Sequence, residues 1–118
     1  MKDFRNLKVW EKSHHLTLEI YRITEKFPKE ELYGLRSQIR RSCSSIPTNI
    51  SEGCGRDSEA EFTRFLRIAM GSASELEYLL LLSNDLDMIQ HSDYEALLND
   101  TVEIKKMLTS LIRSIKDS

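Results

Sequence analysis

Apolar residues recur every three or four positions through most of this chain, and that spacing restricts it to long amphipathic helices. The last of four periodic segments shows the pattern most regularly. Its apolar seam is Tyr94, Leu97, Thr101, Ile104, Leu108, Leu111 and Ile115. Four Gly and two Pro among 118 residues leave little material for turns, so we expect few, long elements.

The other three segments set the remaining helix boundaries. Helix one spans about residues 6–26 and ends before Pro28, because the residue preceding a proline avoids the α region. Helix two spans about 34–56 and ends in glycines that suit a left-handed C-cap. Capping boxes, Ser58 with Glu61 and Ser92 with Glu95, begin helices three and four, and helix three extends to about residue 89.

Each of these helices has a predicted core face. The face of helix one is Leu7, Trp10, His14, Leu18 and Tyr21, widened by Ile20, Ile23 and Phe27. The face of helix three is Phe62, Phe65 or Leu66, Ala69, Ala73, Leu76, Leu80 and Ser83. A cluster of small residues, 71–74, allows close approach by a neighbouring helix.

Short connections between long helices favour antiparallel neighbours. The predicted fold is therefore all-α, a single up-down-up-down antiparallel four-helix bundle domain over residues 1–118. Helices three and four have more apolar surface than one stripe, through Leu79, Leu81, Leu82, Leu98, Val102, Met107 and Ile112. A monomeric bundle buries one stripe per helix, so the surplus favours an oligomer over a monomer.

Helix two carries two stripes. Its apolar stripe is Leu35, Ile39, Cys43, Ile46, Ile50 and Cys54, and its polar stripe is Gln38, Ser42, Ser45, Asn49 and Glu52. The polar stripe is open to three interpretations: a solvated surface, a hydrogen-bonded network inside the bundle, or a contact between subunits. Pro47 lacks an N–H and frees a backbone carbonyl nearby, which favours a structural role for Asn49.

Charge is distributed unevenly along the chain. The net charge is −2, but residues 34–74 hold six Arg against four acidic residues, whereas residues 75–118 hold four basic and nine acidic residues. The six arginines are Arg36, Arg40, Arg41, Arg56, Arg64 and Arg67. Because guanidinium groups pair bidentately with phosphate, they could bind nucleic acid. The alternative is ion pairing with nearby glutamates, which the acidic balance favours.

Motifs for catalysis or cofactor binding are weak. The di-iron bundle pattern needs an inward Glu-x-x-His on two helices, and the sequence does not provide it. Cys43 and Cys54 would lie roughly 16 Å apart on one helix, too far for a disulfide. Gly53-Cys54-Gly55 lacks the lysine and preceding strand of a phosphate loop. We therefore expect no enzyme activity, no cofactor and no metal site.

Segments for secretion or membrane insertion are not evident either. The first six residues are polar and no apolar stretch follows them. The apolar run 79–82 is far too short to span a bilayer. The sequence therefore predicts a cytoplasmic protein without a membrane partner.

Several motifs together resemble a known family. They are Phe4-x-x-Leu7-x-Val9-Trp10, Phe27-Pro28, Tyr33-Gly34-Leu35, Gln38-Ile39-Arg40-Arg41, Ser45-Ile46-Pro47-x-Asn49-Ile50-x-Glu52-Gly53 and Gly55-Arg56. With them, the chain resembles the small bacterial four-helix bundle proteins linked to intervening sequences in 23S ribosomal RNA genes. The resemblance implies a bundle that assembles as a ring, typically a pentamer, and brings no catalytic residues with it.

The resemblance extends to a relative, the accessory variability determinant protein of diversity-generating retroelements. That relative is a basic pentamer that partners a reverse transcriptase and binds nucleic acid. Two functions are therefore expected. The first is a non-enzymatic homo-oligomeric scaffold or adaptor, with subunit contacts from helix two and the start of helix three. The alternative is an RNA- or DNA-binding module that uses the six arginines.

Overall fold

Four long helices make up the protein, and its computed structural model describes residues 2–31 and 33–117. The helices are α1 (Lys8–Thr24), α2 (Leu35–Cys54), α3 (Glu59–Asp85) and α4 (His91–Lys116). Two short 3-10 turns, Phe4–Asn6 and Lys29–Glu31, flank α1. The part of the chain that the structure describes contains no strand. The fold is therefore all-α, as the periodicity predicts.

Each helix packs against two others around a common core. α2 contacts α1 and α3, and α4 contacts α3 and α1. The contacts pair Thr17 of α1 with Cys43 of α2, and Ser45 of α2 with Ser72 of α3. Glu77 of α3 pairs with Lys105 of α4. The core lies along the middle of this four-helix arrangement.

The predicted core faces of α2 and α3 are confirmed. Every member of the apolar stripe of α2 is buried, and so is every member of the α3 seam. On α4 the seam is buried from Tyr94 to Leu108, whereas Leu111 and Ile115 at its end are half-buried. Burial of the apolar side chains at these positions stabilises the fold by about 25 cal/mol for each Å² that is removed from water.

The predicted core face of α1 is confirmed at Ile20, Ile23 and Phe27, which are buried, and is wrong at the other positions. Leu18 and Tyr21 are 54% and 44% exposed, and Leu7, Trp10 and His14 are only half-buried. The buried residues of α1 are Val9, Ser13, Leu16, Ile20, Ile23 and Thr24. Two hydroxyl residues lie in this core because each bonds its own helix: Ser13 Oγ donates to the Trp10 carbonyl at 2.9 Å, and Thr24 Oγ1 to that of Ile20 at 2.6 Å.

The ends of the helices differ from the prediction in three places. The left-handed C-cap of α2 is wrong, because Gly55 has a φ of −83°. α3 ends at Asp85, and the left-handed residue is Asp87, with φ 58°. The Ser92 capping box is also wrong, since α4 begins at His91 with Gln90 as its N-cap.

The other capping box is confirmed at its serine. Ser58 Oγ accepts a hydrogen bond from the Glu61 backbone N–H at 3.1 Å. The carboxylate of Glu61 binds Arg64 rather than returning to the cap. The side-chain cap satisfies one of the free N–H groups in the first turn of α3.

Gly53 has a packing role rather than a terminating one. A Cβ added at Gly53 would lie 2.9 Å from Phe65 Cβ and 3.0 Å from Phe62 Cδ1. Only a residue without a side chain lets α2 approach the start of α3 this closely. The glycine therefore brings α2 and α3 together at the end of α2.

The proline inside α2 leaves a carbonyl near α1 without a close donor among the described residues, because the Thr17 hydroxyl donates to the Ser13 carbonyl at 2.8 Å. A residue with an N–H at position 47 would donate to the carbonyl of Cys43, and Pro47 cannot. Thr17 Oγ1 of α1 lies 3.5 Å from that carbonyl oxygen and also 3.5 Å from Cys43 Sγ. A side chain from the neighbouring helix therefore faces the carbonyl that the proline frees.

Candidate functional site

The middle of the polar stripe links α2 to α3. Ser45 Oγ lies 2.8 Å from Ser72 Oγ. Asn49 Nδ2 donates to the Ser45 carbonyl at 2.8 Å and to Ser45 Oγ at 2.9 Å. These three half-buried side chains form a connected network within one chain. The small-residue cluster of α3 indicates close packing, but spacing along α2 alone cannot identify Ser72 as the partner.

The remaining members of the stripe lie in other surroundings. Gln38 and Glu52 are exposed, and Glu52 pairs with Arg56 at 3.3 Å. Ser42 is buried, and its hydroxyl donates to the Ile39 carbonyl at 3.1 Å. The polar stripe is therefore not one uniform surface. Its two ends are exposed to solvent, and its middle residues form hydrogen bonds within the chain.

The six arginines separate into two groups. Arg36, Arg40 and Arg41 lie on the first half of α2, and Arg56, Arg64 and Arg67 lie around the connection between α2 and α3. At 1.5 Å per residue, Arg36 and Arg56 are roughly 30 Å apart along α2. The two groups are separate charged surfaces.

In the first arginine group, Arg36 and Arg40 contact residues at the end of α1 and the Glu25 that follows it. Arg36 Nη2 and Arg40 Nη2 each lie 3.1 Å from the same oxygen of Glu25. Arg40 Nε also donates to Thr24 Oγ1 at 2.9 Å, and its Nη2 donates to the Tyr21 carbonyl at 3.0 Å. The Arg40 guanidinium carbon lies 4.4 Å from the Tyr21 ring centre. Arg40 is therefore fixed from several directions.

Two members of the second arginine group lie against the ring of Phe65. The guanidinium carbons of Arg56 and Arg64 lie 4.9 Å and 4.5 Å from its ring centre. Arg64 also binds Glu61 at 2.9 Å, and this hydrogen bond lowers the pKa of the Glu61 carboxyl. Among residues 2–31 and 33–117, Arg67 has no ion-pair partner.

A groove lies between α3 and α4 on the outside of the bundle. One part has a volume of about 530 Å³, with Met70 and Ile112 beside Arg67 and Arg113. Farther along, Tyr78 and Leu81 of α3 face Tyr94 and Leu98 of α4. Gly71 lies on this side of α3, and a Cβ added there would meet nothing within 4 Å. The groove thus combines apolar and cationic side chains.

The residues with potential for metal or nucleophile chemistry lie apart. Burial raises the pKa of the Cys43 thiol to about 12, and burial also raises that of Cys54. Both are free thiols. His14 stacks on Trp10 with 5.0 Å between ring centres, and His91 Nε2 lies 2.9 Å from Glu95. The described part of the chain holds no cluster of three or more His, Cys, Asp or Glu suited to a metal.

A helix that crosses a bilayer must be long and predominantly apolar. Within residues 2–31 and 33–117, no helix combines the length and apolar character that crossing a bilayer requires.

Comparisons with known proteins agree with the resemblance in the sequence. A family model described as 23S rRNA-intervening sequence protein matches residues 5–110. A crystal structure from Bacteroides thetaiotaomicron, described as a protein with unknown function from the S23 ribosomal protein family, is 34% identical in sequence. It superposes with a TM-score of 0.83, over 88% of this chain and 97% of that one. No curated protein matches the chain.

Proposed function

The chain belongs to the 23S rRNA-intervening sequence protein family, and we propose that it acts as a non-enzymatic, homo-oligomeric scaffold or adaptor in the cytoplasm. The observation that carries this proposal is the outer face of α3. Ile68, Tyr78 and Leu81 on that face are 41%, 59% and 43% exposed. In such a scaffold, each identical chain would offer the same binding surface to a partner.

α3 is apolar on the core side as well. Leu66 and Leu76 are fully buried, and Leu80 is 1% exposed. The outer face is mixed, because charged residues such as Arg67 and Glu75 lie among its exposed apolar side chains. We propose that a second copy of the chain covers those apolar side chains.

We propose an up-down-up-down topology and a ring of five subunits for this assembly. The topology is supported by antiparallel contacts between α1 and α2, since later residues of α1 contact earlier residues of α2. Thr17 and Thr24 of α1 contact Cys43 and Arg40 of α2, in that order. The five-fold ring and the relation to the accessory variability determinant protein rest on the family resemblance.

Subunit contacts are proposed for α3 rather than for the middle of the polar stripe. Ser45 and Asn49 already bond within the chain, to Ser72 and to each other. Gln38 and Glu52 at the two ends of the stripe are exposed and could lie at the edge of such a contact.

Binding to RNA or DNA, alone or with a reverse transcriptase, is a second candidate function. It is favoured by two arginines, Arg41 and Arg67, that are exposed and have no ion-pair partner among the described residues. Arg36, Arg40, Arg56 and Arg64 each pair with a glutamate. Nucleic acid would have to compete with those pairs, so this candidate ranks second.

A pair of tyrosine variants tests the scaffold proposal. Tyr78 on α3 is 59% exposed, and Tyr33 in the connection before α2 is 92% exposed. We expect Tyr78→Glu to lower the oligomer mass in sedimentation velocity, because a charge buried between subunits loses its hydration. Tyr33→Glu should leave the mass unchanged. Equal sedimentation of both variants and the parent protein would remove α3 as the contact surface.

A further inference from the structure

A polar hollow between α1 and α2 contains more positive charge than its acidic partner neutralises. It has a volume of about 410 Å³ and is lined by Tyr21, Arg36, Ser37, Arg40, Arg41 and Ser44. The side chains of Arg36 and Arg40 are only 16% and 18% exposed, and both bind the single carboxylate of Glu25. Three guanidinium groups against one carboxylate leave a surplus of two positive charges.

Arg36 also has a buried donor without an acceptor. Its Nε is buried and has no hydrogen-bond partner, and it is the one such side-chain atom in residues 2–31 and 33–117. Leaving a buried donor of a charged group unpaired is unfavourable. Among the described residues, the Arg36 guanidinium has Glu25 alone as an ion-pair partner, so a further anion would improve its pairing.

The hollow is held in shape before any ligand enters. Arg40 is fixed by Thr24, by the Tyr21 carbonyl and by the Tyr21 ring. The one carboxylate in contact, Glu25, is itself 70% exposed. It can therefore swing away from a competing anion at little cost, while Arg40 keeps its other contacts.

We infer that this hollow binds a phosphate group in its dianionic form, as inorganic phosphate or a phosphomonoester. Guanidinium groups bind phosphate oxygens bidentately, and hydrogen bonds between charged groups are stronger than those between neutral groups. A dianion matches the surplus of two charges. A phosphodiester of a nucleic-acid backbone carries one charge and leaves the other unneutralised.

The site is separate from the surface that the scaffold proposal uses. Its residues lie on α1 and α2, whereas the proposed subunit contact lies on the outer face of α3. Loss of phosphate binding with an unchanged oligomer, or the reverse, therefore distinguishes failure of one proposal from failure of the other.

Calorimetric titration of the full chain with inorganic phosphate tests the inference, with sodium chloride at matched ionic strength as the blank. We expect saturable binding that shifts the NMR signal of the Arg36 Nε–H group. Dimethyl phosphate, a monoanionic diester, should bind roughly ten-fold more weakly, the effect of losing one charged hydrogen bond. No saturable shift at Arg36, or equal affinity for both compounds, would overturn the inference.

Two arginine variants locate the binding. Arg41 and Arg67 are both exposed and lack ion pairs among the described residues, so neither replacement should unfold the protein. We expect Arg41→Gln to weaken phosphate binding roughly ten-fold and Arg67→Gln to leave it unchanged. Equal weakening by both would mean a diffuse surface effect and would contradict a site in the hollow.

A short RNA separates a terminal phosphate from the backbone. The same trinucleotide is titrated with a 5′-phosphate and with a 5′-hydroxyl. The inference predicts that only the phosphorylated form shifts the Arg36 Nε–H signal. Equal shifts with both forms would show backbone recognition and contradict a site for a phosphomonoester.

Discussion

α3 meets its two neighbours in different ways. Toward α2 the contact is closed: Gly53 lies where a Cβ would come within 2.9 Å of Phe65, and Ser45 bonds Ser72. Toward α4 a groove of about 530 Å³ remains, and the ion pair between Glu77 and Lys105 crosses this side. The α2–α3 seam is therefore packed within the chain, whereas the side of α3 next to the groove, its open side, leaves room for contact with another molecule.

The largest effect should come from a pair of adjacent leucines on α3, one in the core and one on the surface. Leu80 is 1% exposed and Leu81 is 43% exposed. Leu80→Ala should lower the free energy of unfolding by about 2–5 kcal/mol, because it leaves a cavity in the core. Leu81→Ala should lower it by less than about 1 kcal/mol. Urea denaturation of dilute protein measures both, and comparable losses would contradict the distinction between the two faces.

A second pair of variants tests how closed the α2–α3 seam is. Gly53→Ala places a Cβ against Phe65 and Phe62, and overpacking of this kind costs about 1–3 kcal/mol. Gly55→Ala meets only ordinary contacts, 3.5 Å or more away, at a residue with a right-handed φ. Thermal unfolding should show a lower Tm for the first variant alone. A Tm at or above that of the parent protein for Gly53→Ala would mean that the seam can open.

The polar network across the same seam should have a smaller effect. Ser45→Ala removes the partner of Ser72 and one acceptor of Asn49, so we expect a loss of about 1–2 kcal/mol of unfolding free energy. Ser51→Ala is the matched control, because the Ser51 hydroxyl bonds only the Thr48 carbonyl of its own helix. If the two variants lose the same free energy in urea denaturation, the network does not contribute to the seam.

The smallest effect is expected for the ion pair on the open side. The side chains of Lys105 and Glu77 are 31% and 38% exposed. A double-mutant cycle with Lys105→Ala and Glu77→Ala should give a coupling free energy of at most about 1 kcal/mol, because solvent screens exposed pairs. The coupling should fall further in high salt. A larger coupling that resists salt would mean that this side is closed as well.

The sequence predicts the helices better than the surfaces between them. The apolar stripe of α2 is correct because each of its positions is apolar, so the helical period identifies it without ambiguity. On α1 the same method finds Ile20 and Ile23 but misses Val9 and Leu16 and places Leu18 in the core. Ser13 and Thr24 are polar, and their burial depends on hydrogen bonds to their own helix that composition does not show.

Contacts between side chains of different helices are harder to predict than the buried face of a single helix. Gly53 suits a helix terminator in the sequence, and its close approach to Phe65 becomes evident only when α3 is placed beside α2. The shared carboxylate of Glu25 depends likewise on the packing of α1 against α2. Residue spacing within one helix carries no information about distances to another helix. The division of the six arginines into two groups follows from that packing and not from their spacing.

We propose that the open side of α3 is covered by further copies of the chain. Light scattering coupled to size exclusion, at micromolar concentrations, measures the mass directly. We expect an assembly close to five times the 13.8 kDa chain mass. A mass equal to one chain at every concentration tested would rule out this contact.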